Sequence, residues 1–422
     1  LEGLSLGRLR IASKGKVRNS LGEIEDLEDQ RIYNDGMFMI GQAATLRNYK
    51  TNIPKLHEEI AIGSDRVLLG VQRKSKKHRT YGPTEPSDIA VIGIGSLLPG
   101  SHKPEDFWLN IQNKVDSITE VPKERWDWRI YFDKDKAAKD KIYSKWGGFL
   151  SPLKFDPIKF GIPPKSLKSI EPLQLLTLEV VQQALEDAGY GDRNFDRENT
   201  SVIIGAGGGL ADLGQQYATR SEIPRFVDNP NGKVWDRLPE WTEESFPGIL
   251  LNVIAGRTAN RFDLGGTNLT IDAACASSLA AIDVAVKELE SGHSNLAIAG
   301  GVDTIQSPYA YYCFSKSQAL SPRGKCHSFD KSADGICISE GLAVLVLKRL
   351  EDAEEDGDKI YGVIKSVAGS SDGKGLGMTA PKSAGQIKAV ERAYKKAGFS
   401  PATLGVYEAH GTGTSVGDRT EM

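Results

Sequence analysis

The stretch Ile271-Asp272-Ala273-Ala274-Cys275-Ala276-Ser277-Ser278-Leu279 constrains this chain more than any other. The residues before it, Arg261 to Thr270, read as a loop entering a short strand. After it, Leu279, Ile282, Val286 and Leu289 recur at helical spacing, and Gly292 follows as a stop. Cys275 is therefore expected at a strand-to-helix turn, at or near the helix N-terminus. Such a position offers unpaired backbone N–H groups and the positive end of the helix dipole. Both favour a thiolate, the nucleophilic form of cysteine. The small residues on either side leave a substrate room to reach the sulfur. On its own, a cysteine among alanines is more often a small buried hydrophobe. The rest of the chain has to decide.

From Asp88 onward the pattern is α/β. Ile89 to Gly95 reads as a buried strand, as do Ser201 to Ile204, Leu296 to Val302 and Leu342 to Leu347. Glu171 to Ala188 reads as an amphipathic helix, with Leu173, Leu176, Val180 and Ala184 on one face and Gly189 as its cap. Near-continuous apolar strands alternating with helices indicate sheets covered on both faces. After Asp358 a second cycle begins: a strand over Ile360–Ala368, a helix over Gly385–Ala397 with Ile387, Val390 and Tyr394 inward, and a strand over Gly405–Ala409. That strand enters His410-Gly411-Thr412-Gly413-Thr414. The cycle echoes the earlier one as a duplication of fold rather than of residues.

The remaining features narrow the class. The 422 residues suffice for two or three domains, or for one large one with an appendage. A net charge of −3 gives no reason to expect nucleic acid or a membrane surface as partner. The four cysteines, Cys275, Cys313, Cys326 and Cys337, form no C-x-x-C pair, so neither a disulfide framework nor a metal site is expected. No apolar run approaches a membrane span and no secretory leader is visible, so the expected location is cytoplasmic. The start at Leu1 is expected to mark a piece of something longer. Residues 1–72 stand apart, with Ile53, Leu56 and Ile60 marking a helical face and Pro54 suited to its first turn. Residues 73–87 are basic and bear Gly and Pro, the composition of a linker.

Three motifs invite other readings. Gly93-Ile94-Gly95 follows a strand, but Leu98 stands where a dinucleotide fingerprint needs its third glycine. Gly369-Ser370-Ser371-Asp372-Gly373 matches a nucleophile elbow in letters, yet a loop and not a helix follows it. Gly205 to Gly209 could cradle a phosphate, but no Lys-Ser/Thr follows, and a tight strand-to-helix passage reads better.

Taken with Cys275, the His410 loop makes the chain similar to the β-ketoacyl synthases, which have the thiolase fold. The family's D-T-A-C-S-S-S-L appears as Asp272 to Leu279, its E-A-H-G-T-G-T as Glu408 to Thr414, and its G-D-x-x-E as Gly417 to Glu421. Leu320 to Cys326, Ser328-Phe329-Asp330, Ala333-Asp334-Gly335 and Thr379-Ala380-Pro381 match as well. Ala273 and Ala276 depart from the usual Thr and Ser. So do Ser339-Glu340-Gly341, where modular polyketide synthases read R-G-E-G, and Ile170 to Gln174, where they read M-D-P-Q-Q. These departures look similar to ketosynthases of polyunsaturated fatty acid synthases. Separately, Gly36 to Ala44 resembles a loop near the end of the nitronate monooxygenase and flavin enoyl reductase barrel; a plain helical extension is the other reading.

The resemblance implies an α/β, thiolase-like fold of two βαβ-type halves in α-β-α-β-α layers, with the first half at 88–350 and an incomplete second half at 351–422. It implies decarboxylative condensation: Cys275 holds an acyl group and His410 stabilises the enolate formed from a malonyl thioester. Thr412 and Thr414 would bind the phosphopantetheine arm of an acyl carrier protein, and Glu421 would pair with a lysine and hold the site in shape. Cys313, Cys326 and Cys337 are expected only to fill space. No bound cofactor is expected. Expected partners are the acyl carrier protein, a second copy of the chain, and neighbouring acyltransferase and enoyl reductase domains. The family's K-x-x-x-G-H element and glycine-rich oxyanion loop are expected beyond Met422, so this piece alone is expected to be inactive. Two other readings stay open: a silent, chain-length-factor-like partner, and a thiolase-fold enzyme using coenzyme A thioesters.

Overall fold

The computed structural model describes residues 8–19, 21–36, 49–74, 88–207, 209–228, 230, 232–375, 377 and 380–422. It separates into two units, Leu1–Arg79 and Thr80–Met422. In the first, a helix over Arg8–Lys14 leads into an antiparallel pair, Lys16–Arg18 with Ile24–Asp26. Helices over Asp29–Asp35 and Ile53–Lys74 follow. Pro54 falls in the first turn of the long helix, where its missing N–H costs nothing. That helix runs to Lys74, two residues into the expected linker. Residues 37–46, most of the barrel-like loop, and 75–87, the rest of the linker, lie outside the described residues.

The second unit is built on a six-stranded sheet. In chain order its strands are β1 (Ile89–Leu97), β2 (Thr200–Gly205), β3 (Asn268–Ile271), β4 (Leu296–Asp303), β5 (Gly341–Arg349) and β6 (Gly362–Ile364). Their order in the sheet is β6-β1-β5-β4-β2-β3. β3, β2 and β4 run parallel, whereas β4–β5, β5–β1 and β1–β6 pair antiparallel. The sheet is therefore mixed.

Helices cover both faces. On one lie α1 (Pro172–Asp187) and α3 (Val253–Phe262). There Leu173, Val180, Ala184 and Ile254 pack with Ile92, Val202 and Val344. On the other lies α4 (Ser277–Glu290), whose Ala281, Ala285 and Leu289 pack with Ile203, Ala299 and Leu347. Each large aliphatic side chain buried this fully contributes roughly 1.5–3 kcal/mol. Two-sided cover buries β2 along its whole length. α2 (Asp212–Phe226) and α5 (Pro308–Lys316) follow β2 and β4. Behind α5, Trp126 meets Tyr131 and Tyr311 edge-on, with ring centroids 5.6 and 5.1 Å apart.

The polar start of α1 is also satisfied. The buried Gln174 donates its amide to the carbonyls of Gly248 (2.9 Å) and Pro247 (3.0 Å), and its oxygen accepts from Arg257 Nε (2.8 Å).

Several expectations need correction. Leu279 is 62% exposed, because α4 turns its alanines and Leu289 to the sheet. The strand expected over Ile360–Ala368 is only β6, and it joins the edge of the existing sheet beside β1. Gly405–Ala409 is not a strand: no neighbouring strand takes its backbone hydrogen bonds, and Val406 is 83% exposed. α6 (Ser383–Ala397) forms as expected and ends on Gly398 at φ +76°, but Ile387 and Val390 are exposed rather than inward. Among the described residues the second half thus contributes β6, α6 and a last helix, α7 (Ser415–Glu421), and no second large sheet.

Candidate active site

β3 delivers the chain to the turn that carries Cys275. Asp272 Oδ1 accepts the N–H of Ala274 (2.9 Å). Ala274 has φ +50°, in the left-handed region that side-chain-bearing residues avoid. A 3-10 turn over Ala274–Ala276 carries Cys275, and α4 starts at Ser277. The nucleophile candidate is thus just ahead of a helix start, and it is exposed. The end of β2 lies flush against this start: a Cβ on Gly205 would overlap the Ser277 carbonyl. Gly205 serves close approach, as a strand-to-helix passage requires.

Cys275 opens into a cavity of about 910 Å³. Ser278, Ile305, Cys313, Phe314 and Glu340 are among its other walls, and the whole lining falls between Leu98 and Leu345. The Glu340 carboxylate is 2% exposed; it accepts the N–H of Leu150 (2.7 Å) and pairs with Arg125 at 2.9 Å. Burial raises its pKa above the usual carboxylate range despite that pair.

His410 belongs to a separate construction. Its loop precedes α7, and two carboxylates on that helix hold it. Glu421 accepts the N–H groups of His410 (2.6 Å) and Gly411 (2.9 Å). The buried Asp418 accepts those of Gly413 (2.9 Å) and Phe329 (2.6 Å). The loop rests on residues 320–335: Gly335 N–H donates to the Gly413 carbonyl (3.0 Å), Cys326 Sγ to that of Thr412 (3.1 Å), and the Ser328 hydroxyl to that of Gly411. Gly413 is required twice over. Its φ is +67°, and a Cβ there would lie 3.0 Å from Cys326 Sγ and 3.1 Å from the Gly335 carbonyl. Thr414 Oγ1 caps α7 by accepting the N–H of Gly417 (3.0 Å) and lies 2.9 Å from Thr412 Oγ1.

The structure therefore gathers His410, Thr412, Thr414 and Glu421 on one loop and helix. Cys275 opens into a cavity whose lining residues include none of 401–422. Glu421 takes the main-chain N–H groups of His410 and Gly411, and the two threonine hydroxyls partner each other within the loop. The other three cysteines sit in different surroundings. Cys313 faces the Cys275 cavity, Cys326 holds the His410 loop, and Cys337 is half-buried, its thiol pushed up to about 12 by burial. In the sequence Asp418 is visible only as the Asp of G-D-x-x-E. Its spacing from Glu421, one turn of the same helix, was the available signal.

Comparison with known proteins addresses the family directly. The model of the β-ketoacyl synthase N-terminal domain matches residues 86–353, and that of the C-terminal domain matches 361–422. The chain belongs to the β-ketoacyl synthase family. Among its relatives, a polyunsaturated fatty acid synthase chain of Thraustochytrium sp. is 39% identical over 346 residues, which are 79% of this chain and 12% of that protein. Polyketide synthase PksN of Bacillus subtilis is 37% identical over 339 residues, 80% of this chain and 6% of that protein. Among solved structures, the oxazolomycin ketosynthase domain OzmH KS7 of Streptomyces albus JA3453 superposes with a TM-score of 0.69 at 33% identity, covering 79% of this chain and 55% of that one. The ketosynthase chain accordingly spans a small part of the curated relatives it matches, and its mixed α/β architecture is thiolase-like. No helix among the described residues is long and apolar enough to cross a membrane.

Proposed function

We propose that the chain contributes Cys275 and His410 to the acyl-transfer and condensation chemistry of a β-ketoacyl synthase in fatty acid or polyketide assembly. The Cys275 thiolate attacks the thioester carbonyl of an acyl group on a carrier protein's phosphopantetheine; the carrier thiol leaves, and an acyl-Cys275 thioester remains. The N–H of Cys275 steadies the oxyanion of the tetrahedral intermediate. A malonyl thioester on the carrier then loses carbon dioxide. His410 hydrogen-bonds the enolate oxygen, and the α-carbon attacks the acyl-Cys275 carbonyl. The β-ketoacyl chain leaves on the carrier and the Cys275 thiol is restored. Thr412 and Thr414 hydrogen-bond the pantetheine arm, and Glu421 shapes the loop. An acyl carrier protein, a second copy of the chain, neighbouring synthase domains and a cytoplasmic location belong to the same proposal, as do domain limits at 88–350 and 351–422.

One observation carries this reading: Cys275 sits exposed on a strand-to-helix turn that opens into a cavity of about 910 Å³. It also argues against a silent partner, which has no use for an accessible thiol there. Incubating the full-length parent with radiolabelled acyl carrier and mapping the label tests it. Label should appear on the Cys275 peptide and vanish in Cys275→Ala with the melting temperature nearly unchanged; label persisting in that variant removes Cys275 as nucleophile. Labelling by acyl-coenzyme A in preference to acyl carrier would favour the coenzyme A reading.

A further inference from the structure

The geometry points to Ser277 as the positioning residue that holds Cys275 in its presented pose, by locking Ala274 in a left-handed conformation. The inference rests on the proposal that Cys275 is the nucleophile. Ala274 immediately precedes Cys275, and at φ +50° it bears strain that a β-carbon makes unavoidable. Such a conformation persists only where neighbours over-determine it. Here the Ser277 hydroxyl accepts the N–H of Ala273 (2.8 Å) and donates to the carbonyl of Ala274 (2.7 Å). One side chain thus brackets the two residues ahead of the nucleophile. Asp272 Oδ1 holds the intervening N–H of Ala274 at 2.9 Å.

Ser277 is 8% exposed, so water competes little for either bond. This differs from ordinary helix capping, in which a residue ahead of the helix accepts N–H groups inside it. The bonds here run backward, from the first residue of α4 to the turn that carries the thiol. Without them Ala274 relaxes toward right-handed or extended φ, and Cys275 swings off the helix start.

The test reads thiol alkylation on the folded chain. Iodoacetamide rates are followed peptide by peptide, with Cys313 in the same cavity as internal control. Ser277→Ala should slow alkylation of Cys275 about tenfold, the scale of releasing one left-handed alanine, and leave Cys313 unchanged. Ser277→Thr, which keeps the hydroxyl, should stay near wild type. Ala274→Gly added to Ser277→Ala should restore most of the rate, because glycine adopts this φ without help. A Cys275 rate within twofold of wild type in Ser277→Ala overturns the inference, as does a double variant no faster than Ser277→Ala. If Ser277→Ala fails to fold, the double variant must fold and keep a reactive Cys275, and its failure also overturns the inference. Acyl labelling of Cys275→Ala tests the nucleophile separately: persistent label there with the alkylation pattern intact removes the chemistry and not the positioning.

Discussion

Glu171, at the start of α1, shows how a single side chain carries a pH signature. It is 3% exposed, and burial lifts its carboxyl to about 7, although it accepts the N–H of Leu213 (3.0 Å). Between pH 4.5 and about 7 the folded chain keeps a proton that the unfolded chain has released, so stability falls as pH rises through that window. Glu171→Gln keeps an acceptor for Leu213 and removes the ionisation. It should add about 2–3 kcal/mol in denaturant melts at pH 8 and little at pH 4. For His410, the proposed division of labour predicts that His410→Ala spares acylation of Cys275 far more than malonyl decarboxylation, and equal losses in single-turnover assays would end that assignment. At this scale the sequence was legible where chemistry is written in residue type. Cys275 and His410 stand out from their motifs as candidates. Ser277 does not, because its role depends on the left-handed φ of Ala274, which an alanine does not advertise. Asp418 was missed for a similar reason: its partners, the N–H groups of Gly413 and Phe329, have no letter of their own.

α7 is seven residues long, too short to persist by itself in water. Its value lies in two carboxylates one turn apart that collect four main-chain N–H groups. Removing one by Asp418→Ala leaves the N–H groups of Gly413 and Phe329 without their charged acceptor. The expected cost is about 2–3 kcal/mol, with amide exchange rising over 326–335 and 410–414 and unchanged in α4. Unchanged exchange in both loops would show that α7 is not their anchor. Helices were the better-read elements, α1 and α6 lying within a few residues of their expected limits. Strands were read well where both faces are buried, as in β2 and β4. Gly405–Ala409 failed because an apolar run needs a neighbouring strand, and a linear pattern does not reveal one.

For the folding unit that begins at Thr80, the alternation of strands and helices announced an α/β sheet with covered faces, and that is what forms. The turn from parallel to antiparallel pairing at β4–β5 was not announced, since direction is set by connections in space. The same unit exposes Ile387, Val390, Leu404, Val406 and Tyr407. Apolar surface of this kind promotes association. Light scattering should therefore show concentration-dependent aggregation, and Val406→Lys with Tyr407→Lys should reduce it severalfold without altering alkylation of Cys275. Scattering unchanged in that double variant would place the sticky surface elsewhere.

The mounting of the histidine has a different kind of consequence. The bonds that seat residues 410–413 on their neighbours, from Glu421, Asp418, Gly335, Ser328 and Cys326, all end on main-chain atoms of the loop. None of them asks anything of the imidazole. The holder is thereby separate from the tool it carries. A tool of another kind, an amide or a carboxylate at position 410, would be gripped in the same place, so this mount can change the reaction it serves without a new scaffold having to be built.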